Sequence, residues 1–214
     1  MKSLRITVLL LSLVFTLAWA DSNTVASANI LGYTKITIPS NQYMLVTLNF
    51  NNESNTVDGL FGSLPIGTIV YFWDTGTQNY HSISKGRAGW GASGTNVIMI
   101  GSGAFVKLPV NVQTTLLLSG TVPSAESTPL YKANGYSLVA YPYPVEMKVT
   151  NTVLAKSASA GDFISIWDNG WITYSKGRAG WTTAENVKIK IGQAFFYRSY
   201  SNSIVNEPRP YTLD

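Results

Sequence analysis

The chain has 214 residues, of which 45% are hydrophobic and only 12% are charged, and it contains no cysteine. Its 15 Lys and Arg against 11 Asp and Glu give a formal net charge of +4, too small an excess to indicate nucleic-acid binding. A single His and the absence of Cys exclude multi-histidine metal centres, thiol nucleophiles and disulfide scaffolds, so no cofactor is expected and a packed core must provide the stability.

The amino-terminal segment has the pattern of a secretory signal. Lys2 and Arg5 precede an apolar run over 6–17, which leads into Ala18-Trp19-Ala20. We therefore expect residues 1–20 to be a signal peptide, and the mature protein to be secreted, held at the cell surface or kept in the periplasm. No later stretch has membrane length, so no membrane span is expected after the signal is removed.

Internal duplication organises the rest of the chain. The hexapeptide Lys85-Gly86-Arg87-Ala88-Gly89-Trp90 recurs unchanged at 176–181, and further landmarks recur in the same order at offsets of 90 to 96 residues. These landmarks include Asn55 and Asn151, Trp73-Asp74 and Trp167-Asp168, and Ala104-Phe105 and Ala194-Phe195. The repeat predicts one β unit over 21–108 and a second over 131–214 with a carboxy-terminal tail, joined by a connecting strand and turn over 109–130.

Period-two alternation dominates both units. Apolar side chains alternate with polar ones over 33–38 and again over 43–50, as expected of half-buried strands. Because Gly, Pro and Asn separate these short runs, the sequence predicts an all-β fold: an antiparallel β-sandwich, with a barrel-like closure as the alternative. Helix is expected only as one or two turns capped by Asn55 and Asn151.

One strand differs between the units. Aligned on the flanking Ala-Phe pairs, Ile98 and Ile100 of the first unit lie opposite Lys188 and Lys190 of the second. The first unit would then bury a face that the second exposes. We interpret Ile98 and Ile100 as part of a contact between units or between subunits.

The residues do not suggest catalysis. His81 has no counterpart in the second unit, and the chain has no Gly-x-Ser-x-Gly nucleophile elbow. Asp74 and Asp168 are the repeat-related carboxylates, but each stands before turn residues, where an Asp side chain commonly bonds to the backbone. We therefore expect a protein that is not an enzyme.

The repeated hexapeptide permits two interpretations. In the structural one, its glycines form a tight loop, the Trp anchors the loop in the core, and the Arg pairs with the Asp that ends the preceding strand. In the functional one, a Lys and an Arg beside an indole contact a sugar or an anionic group. The residues concerned are Lys85, Arg87 and Trp90 in the first unit and Lys176, Arg178 and Trp181 in the second.

Aromatic residues are more numerous than a small core requires, and they suit either a binding face or the contact between units. Trp171 follows a predicted turn, which favours exposure. Tyr143 lies in the stiff segment Tyr141-Pro142-Tyr143-Pro144, which we expect to be exposed as well. Trp171 and Tyr143 are therefore candidate glycan contacts.

Three elements of the sequence resemble a group of exported two-repeat β proteins of environmental bacteria. They are Gly32-Tyr33 after the signal, the Trp-Asp strand ends at 73–74 and 167–168, and a closing strand of the type Gly192-Gln193-Ala194-Phe195, with Ser102 in place of the first Gly in the earlier unit. The resemblance implies export and a β fold but no activity. The sparse charge, the many β-forming residues and the apolar residues at positions where the other unit has polar ones predict a structural or surface-assembly protein that self-associates or joins another surface protein. The alternative is a polysaccharide-binding module.

Overall fold

The computed structural model describes residues 30–168, 170–181, 184 and 186–213. The predicted signal peptide lies outside these residues. Within them the chain is predominantly β, and every pair of neighbouring strands is antiparallel. The all-β prediction is confirmed.

The structure is most easily described in two halves, 30–122 and 123–213. The first half contains β1 (Leu31–Ile38), β2 (Tyr43–Thr47), α1 (Val57–Phe61), β3 (Ile69–Asp74), β4 (Asn79–Ser84), a 3-10 helix (Gly91–Thr95), β5 (Gly103–Lys107) and β6 (Thr114–Thr121). The second half contains β7 (Ser127–Lys132), β8 (Gly135–Ala140), β9 (Met147–Lys148), a 3-10 helix (Val149–Asn151), α2 (Val153–Lys156), β10 (Phe163–Trp167), β11 (Trp171–Gly177), β12 (Gly180–Trp181), β13 (Lys188–Ile189), β14 (Ala194–Ser199) and β15 (Ser203–Pro208).

Strand order is the same in the main sheet of each half. The first half forms a four-stranded sheet in the order β2-β5-β3-β4, and the second forms β8-β14-β10-β11 with β12 added at one edge. Two-stranded ribbons accompany the sheets: β1 with β6, β7 with β15, and β9 with β13. Each described sheet has two edge strands, so the described strands do not form the barrel-like closure that the sequence left as an alternative.

The segment 109–130 is divided between the halves. Its first strand, β6, pairs along its whole length with β1, whereas β7, which begins inside the segment, pairs with β15. The predicted connecting strand is therefore present, but it closes the first half on itself. The link between the halves lies between Thr121 and Ser127.

Turn hydrogen bonds fix which residues of the halves correspond. The amide of Ser102 donates to Met99 O at 3.1 Å, and the amide of Gln193 donates to Lys190 O at the same distance. Each turn contains a glycine with positive φ, at 101 and at 192. At this turn, a residue of the second half therefore corresponds to the residue 91 positions earlier in the first half.

This offset of 91 residues corrects the sequence alignment of this strand by one residue. Ile98 corresponds to Ile189, and both are buried, with 7% and 1% of their surface exposed. The counterparts of Lys188 and Lys190 are Val97 and Met99, which are also exposed. Because a slip of one residue exchanges the two faces of a strand, the expectation that the first half buries what the second exposes was wrong.

Each sheet buries one face in the core of its own half. In the first half Val46, Val70 and Val106 pack with α1, whose amino terminus is capped by the hydroxyl of Thr56 rather than by Asn55. Thr152 caps α2 in the same way. A Thr one residue further along supplies, through its hydroxyl, the side-chain acceptor that the sequence analysis had assigned to Asn.

The other faces of the two sheets lie against each other. Leu45 and Phe105 of the first half pack with Leu138 and Ala194 of the second. Gly103 permits this approach, because a Cβ there would stand 2.7 Å from the Cβ of Ala194. This junction positions the candidate site. No helix among the described residues is long and apolar enough to cross a membrane.

An aromatic cleft between the two sheets as the candidate functional site

Alternation along the strands of the first half delivers aromatic rings to the junction. In β3, Val70 is fully buried in the core. Tyr71 and Trp73, one and three residues further along, therefore project from the opposite face of the sheet. Pairing places Tyr71 beside Phe105 of β5, and Trp73 beside Tyr80 of β4. The same residues that complete the sheet therefore form a ring-covered surface.

The second half contributes tryptophans to the same place. Trp167 ends β10 and Trp171 begins β11, and the two are directly paired across the turn. Their rings, with centroids 5.2 Å apart and planes at 71°, stand over the first sheet. The result is a cavity of about 390 Å³ lined by Tyr43, Tyr71, Tyr80, Phe105, Trp167 and Trp171, which we call the first cleft.

Edge-to-face contacts fix the walls of the first cleft. Phe105 contacts Tyr43, Tyr80 and Trp171 at centroid distances of 6.4, 5.9 and 6.4 Å, all with steep interplanar angles. Such arrangements are favourable for aromatic pairs and restrict ring rotation. The cleft is nevertheless open, since Tyr43 exposes 53% and each Trp 43% of its surface. It is an accessible apolar site with little freedom to collapse.

The hydroxyls of Tyr71 and Tyr80 remain protonated donors at neutral pH. Burial raises the pKa of Tyr80 to about 12. Burial also raises the pKa of Tyr71, and a hydrogen bond to the Tyr43 hydroxyl adds to the effect. The cleft thus combines ring faces with neutral hydroxyl groups that can donate and accept hydrogen bonds. None of its six lining residues is a carboxylate or a histidine.

A second cleft of about 320 Å³ lies on the other side of the same rings. It is lined by Trp73, Tyr80, Tyr136, Ser165, Trp171 and Phe196. Strand register relates the two sets: Tyr43 corresponds to Tyr136, Tyr71 to Ser165, Tyr80 to Trp171, Phe105 to Phe196 and Trp73 to Trp167. Each cleft therefore takes four residues from one half and two from the other. The two are Trp167 and Trp171 in the first cleft, and their counterparts Trp73 and Tyr80 in the second.

The repeated hexapeptides lie away from both clefts and form hairpin turns. Gly86 and Gly89 exchange two backbone hydrogen bonds, and Gly177 pairs with Gly180 in the same manner. The intervening Arg87 and Arg178 are exposed at the tips.

The predicted pairing of Arg87 with Asp74 is not formed. The Asp74 carboxylate instead accepts hydrogen bonds from Gly76 N and from the hydroxyl of Thr77, which lower its pKa. Among the described residues, neither Arg87 nor Arg178 takes part in an ion pair. The turn satisfies the carboxylate locally, so the arginine has no acceptor there.

The other hexapeptide residues have structural contacts. Lys85 donates from Nζ to Gly62 O and to Leu64 O, which stabilises the chain just after α1. Lys176 instead places Nζ 6.0 Å from the ring centroid of Trp181. Trp90 is buried in the first core, whereas Trp181 is half-buried and donates from Nε1 to Ala155 O.

Three further candidates pack in the interiors of the two halves. Tyr143 is fully buried, and its hydroxyl donates towards Glu207 O at 3.2 Å, so the expectation that it is exposed was wrong. The two prolines around it stiffen a segment that passes through the core of the second half rather than over its surface. Ile98 and the half-buried Ile100 pack on the core of the first half.

Of the sequence candidates, only Trp171 lines a cleft. The sequence reasoning did not single out Tyr43 or Phe105. A signal existed in the phase of the alternation: Tyr43 and Tyr71 are out of phase with the buried valines of their strands, at 46 and 70. Large rings on the polar phase of a strand indicate a second buried or binding face.

No three acidic or histidine side chains within the described part of the chain converge in a way that could hold a metal ion. Comparisons of the chain with protein-family models, with curated proteins and with solved structures found no match. The argument for function therefore depends on the chemistry of the clefts.

Proposed function

We propose that this protein is an exported, non-catalytic module that binds glycan chains in the first cleft. The observation that supports the proposal is the lining of that cleft, six aromatic residues around about 390 Å³. This size lies within the range of small-molecule sites in proteins. Ring faces pack against the apolar faces of sugars, while neutral tyrosine hydroxyls hydrogen-bond to sugar hydroxyls.

The shape of the site favours a soluble chain over a crystalline surface. A flat platform would need coplanar rings, but Trp167 and Trp171 are inclined at 71° and Tyr43 and Phe105 at 85°. Rings at such angles form walls that enclose one sugar unit. We therefore propose binding to soluble or gel-forming polysaccharide.

The architecture that supports this function is, in our proposal, a sandwich of two copies of one β unit. The unchanged hexapeptide, the equal strand order and the corresponding cleft residues all support duplication. The sequence pattern over 1–20 supports delivery to the periplasm or the cell exterior. A duplicated unit whose copies face each other creates the cleft at their junction.

Affinity electrophoresis through gels that contain single polysaccharides, followed by calorimetry, tests the proposal. We expect at least one polysaccharide to retard the protein. Trp171→Ala should weaken binding by about thirtyfold, equivalent to about 2 kcal/mol, because it removes a ring that lines both clefts.

Tyr131→Ala is the matched control, since Tyr131 exposes a comparable fraction of its surface outside both clefts. Circular dichroism melts should show that both variants fold. An equal loss of binding in both variants, or no retardation by any polysaccharide, would contradict the proposal.

Self-association is a second candidate function, and the corrected register favours it. Val97 and Met99 expose 72% and 65% of their surface at positions where the second half has lysines. They line a groove together with exposed Tyr131 and Ile204, and no charged residue contributes to its lining. The same groove on another copy of this chain is also uncharged, so two copies can pack their grooves together without charge repulsion.

The pair Val97→Lys with Met99→Lys tests this candidate, because Lys188 and Lys190 show that the corresponding sites accept lysine. Analytical ultracentrifugation of the parent should detect an oligomer that the variant lacks. A monomeric parent at high concentration would contradict self-association and leave glycan binding unaffected.

A further inference from the structure

The two clefts are immediate neighbours, because the rings of Tyr80 and Trp171 line both of them. On one side of this central pair, Trp73 approaches Tyr80 at a centroid distance of 4.8 Å and Phe196 approaches Trp171 at 5.4 Å. On the other side, Phe105 contacts both central rings. A ligand longer than one sugar unit can therefore occupy both clefts at once.

A cation lies beside each cleft, at corresponding positions of the two halves. Lys107 lies two residues after Phe105 on the same strand face, with Nζ 5.0 Å from the ring centroid of Tyr43. Arg198 lies two residues after Phe196, with Cζ 5.9 Å from the ring centroid of Tyr136. The positive charges therefore flank the two clefts, each beside a tyrosine that lines one of them.

Neither cation has a counter-charge within the described part of the chain. The ion pairs there join Lys132 to Asp162 and Lys188 to Glu146. Nη1 of Arg198 is buried and has no hydrogen-bond acceptor, while stacking on the Tyr200 ring at 3.9 Å holds the guanidinium. A positioned cation without an anion favours a carboxylate on the ligand.

We propose that the two clefts together bind a linear acidic polysaccharide composed of uronic acid units, with sugar rings in both clefts and carboxylates directed towards Lys107 and Arg198. This inference rests on the proposed glycan binding and specifies its ligand. Corresponding clefts suit corresponding chemical units, which a repeating chain supplies. The small net charge of the whole chain is compatible with this ligand, because the two charges act locally and at short range.

The test compares charged and uncharged forms of one backbone. Calorimetry with the mature protein should show that polygalacturonate or alginate binds at least about tenfold more tightly than its methyl-esterified form, and that added salt reduces the difference. Oligomers of increasing length should bind more tightly until both clefts are filled. Equal binding of a single sugar and a long chain would overturn the joint use of the two clefts.

Charge variants separate this inference from the proposed function. Lys107→Gln combined with Arg198→Gln should abolish the preference for the acid over the ester, because binding of the acid weakens about tenfold more than binding of the ester. Arg87→Gln combined with Arg178→Gln removes the same charge at the hairpin tips and should keep the preference. If the acid and the ester bind equally and Trp171→Ala abolishes both, the acidic ligand is wrong and glycan binding stands. If no polysaccharide binds, both proposals are wrong.

Discussion

The interiors of the two halves differ in chemistry at three corresponding positions. Three positions of the first core, on β1, β5 and β6, are apolar: Ile38, Val106 and Leu118, each at most 3% exposed. The corresponding positions on β7, β14 and β15 hold Lys132, Tyr197 and Glu207, which are equally buried. Ribbon register supports the correspondence, since Thr34 pairs with Leu118 where Thr128 pairs with Glu207.

The polar residues of the second core have partners inside the fold, although Asp162 Oδ1 is buried without a hydrogen-bond partner. Tyr197 donates to Asp162 Oδ2 at 2.6 Å, and Lys132 Nζ lies 3.9 Å from the same oxygen. Glu207 accepts from the amides of Val153 and Leu154 at the start of α2. Buried charges are tolerated when such partners replace water, so one strand order accommodates either kind of core.

The largest effect should come from breaking this network on one side. Lys132→Met leaves the fully buried Asp162 without a cation, and we expect the free energy of unfolding to fall by about 3–5 kcal/mol. Denaturant unfolding measures the change. In the first half Ile38→Met should cost less than about 1.5 kcal/mol, because an apolar side chain of similar volume is kept.

The pair Lys132→Met with Asp162→Asn is the control for this prediction. It removes both charges and keeps a hydrogen-bond acceptor for Tyr197, so we expect the double variant to be more stable than Lys132→Met alone. A double variant that is less stable than the single one would show that the ion pair is not what Lys132 contributes.

The corrected register supplies the second prediction. Ile98→Ala and Ile189→Ala should each lower stability by about 2–4 kcal/mol, since both side chains are buried. Val97→Ala should change it by less than about 0.5 kcal/mol, because Val97 is exposed. Thermal and denaturant melts check the values. A larger loss for Val97→Ala than for Ile98→Ala would contradict the burial of Ile98 in the corrected register.

The sequence predicted the all-β class of the fold, because period-two alternation is a local signal. It did not predict the register near Ile98, since the Ala-Phe pairs at 104–105 and 194–195 offered an attractive false match. The clefts were not predictable, because they form where two distant sheets meet. Tyr143 was misplaced because local stiffness from its prolines carries no information on burial.

The third prediction concerns pH and separates the two cores. Burial raises the pKa of Glu207 above its ordinary 4.5, although hydrogen bonds from Leu154 N and Val153 N oppose the shift. A raised carboxyl pKa means that the folded state retains the proton longer than the unfolded chain. The contribution of this group to stability is therefore full below the unfolded pKa and is lost as pH rises through the folded value.

We expect Glu207→Gln to flatten the stability profile in the interval that begins near pH 4.5 and extends upwards. Measuring the free energy of unfolding at several pH values for the parent and the variant checks this. Glu53→Gln is the matched control, because it makes the same chemical change at an exposed glutamate. A profile altered equally by Glu53→Gln would contradict the assignment to Glu207.

The smallest effect should come from the hairpin tips, where the halves are identical. Arg87 and Arg178 are exposed, and the hydrogen bonds of Asp74 remain within its own turn, so a double-mutant cycle on Arg87 and Asp74 should give a coupling energy below about 0.5 kcal/mol. The cycle on Arg178 and Asp168 should give the same result. Each Arg→Ala change alone should stay within about 0.5 kcal/mol of the parent in denaturant unfolding. A coupling above 1 kcal/mol in either cycle would require an ion pair that forms in solution, and the hexapeptide would then have been kept for that pairing rather than for the Gly-Arg-Ala-Gly turn.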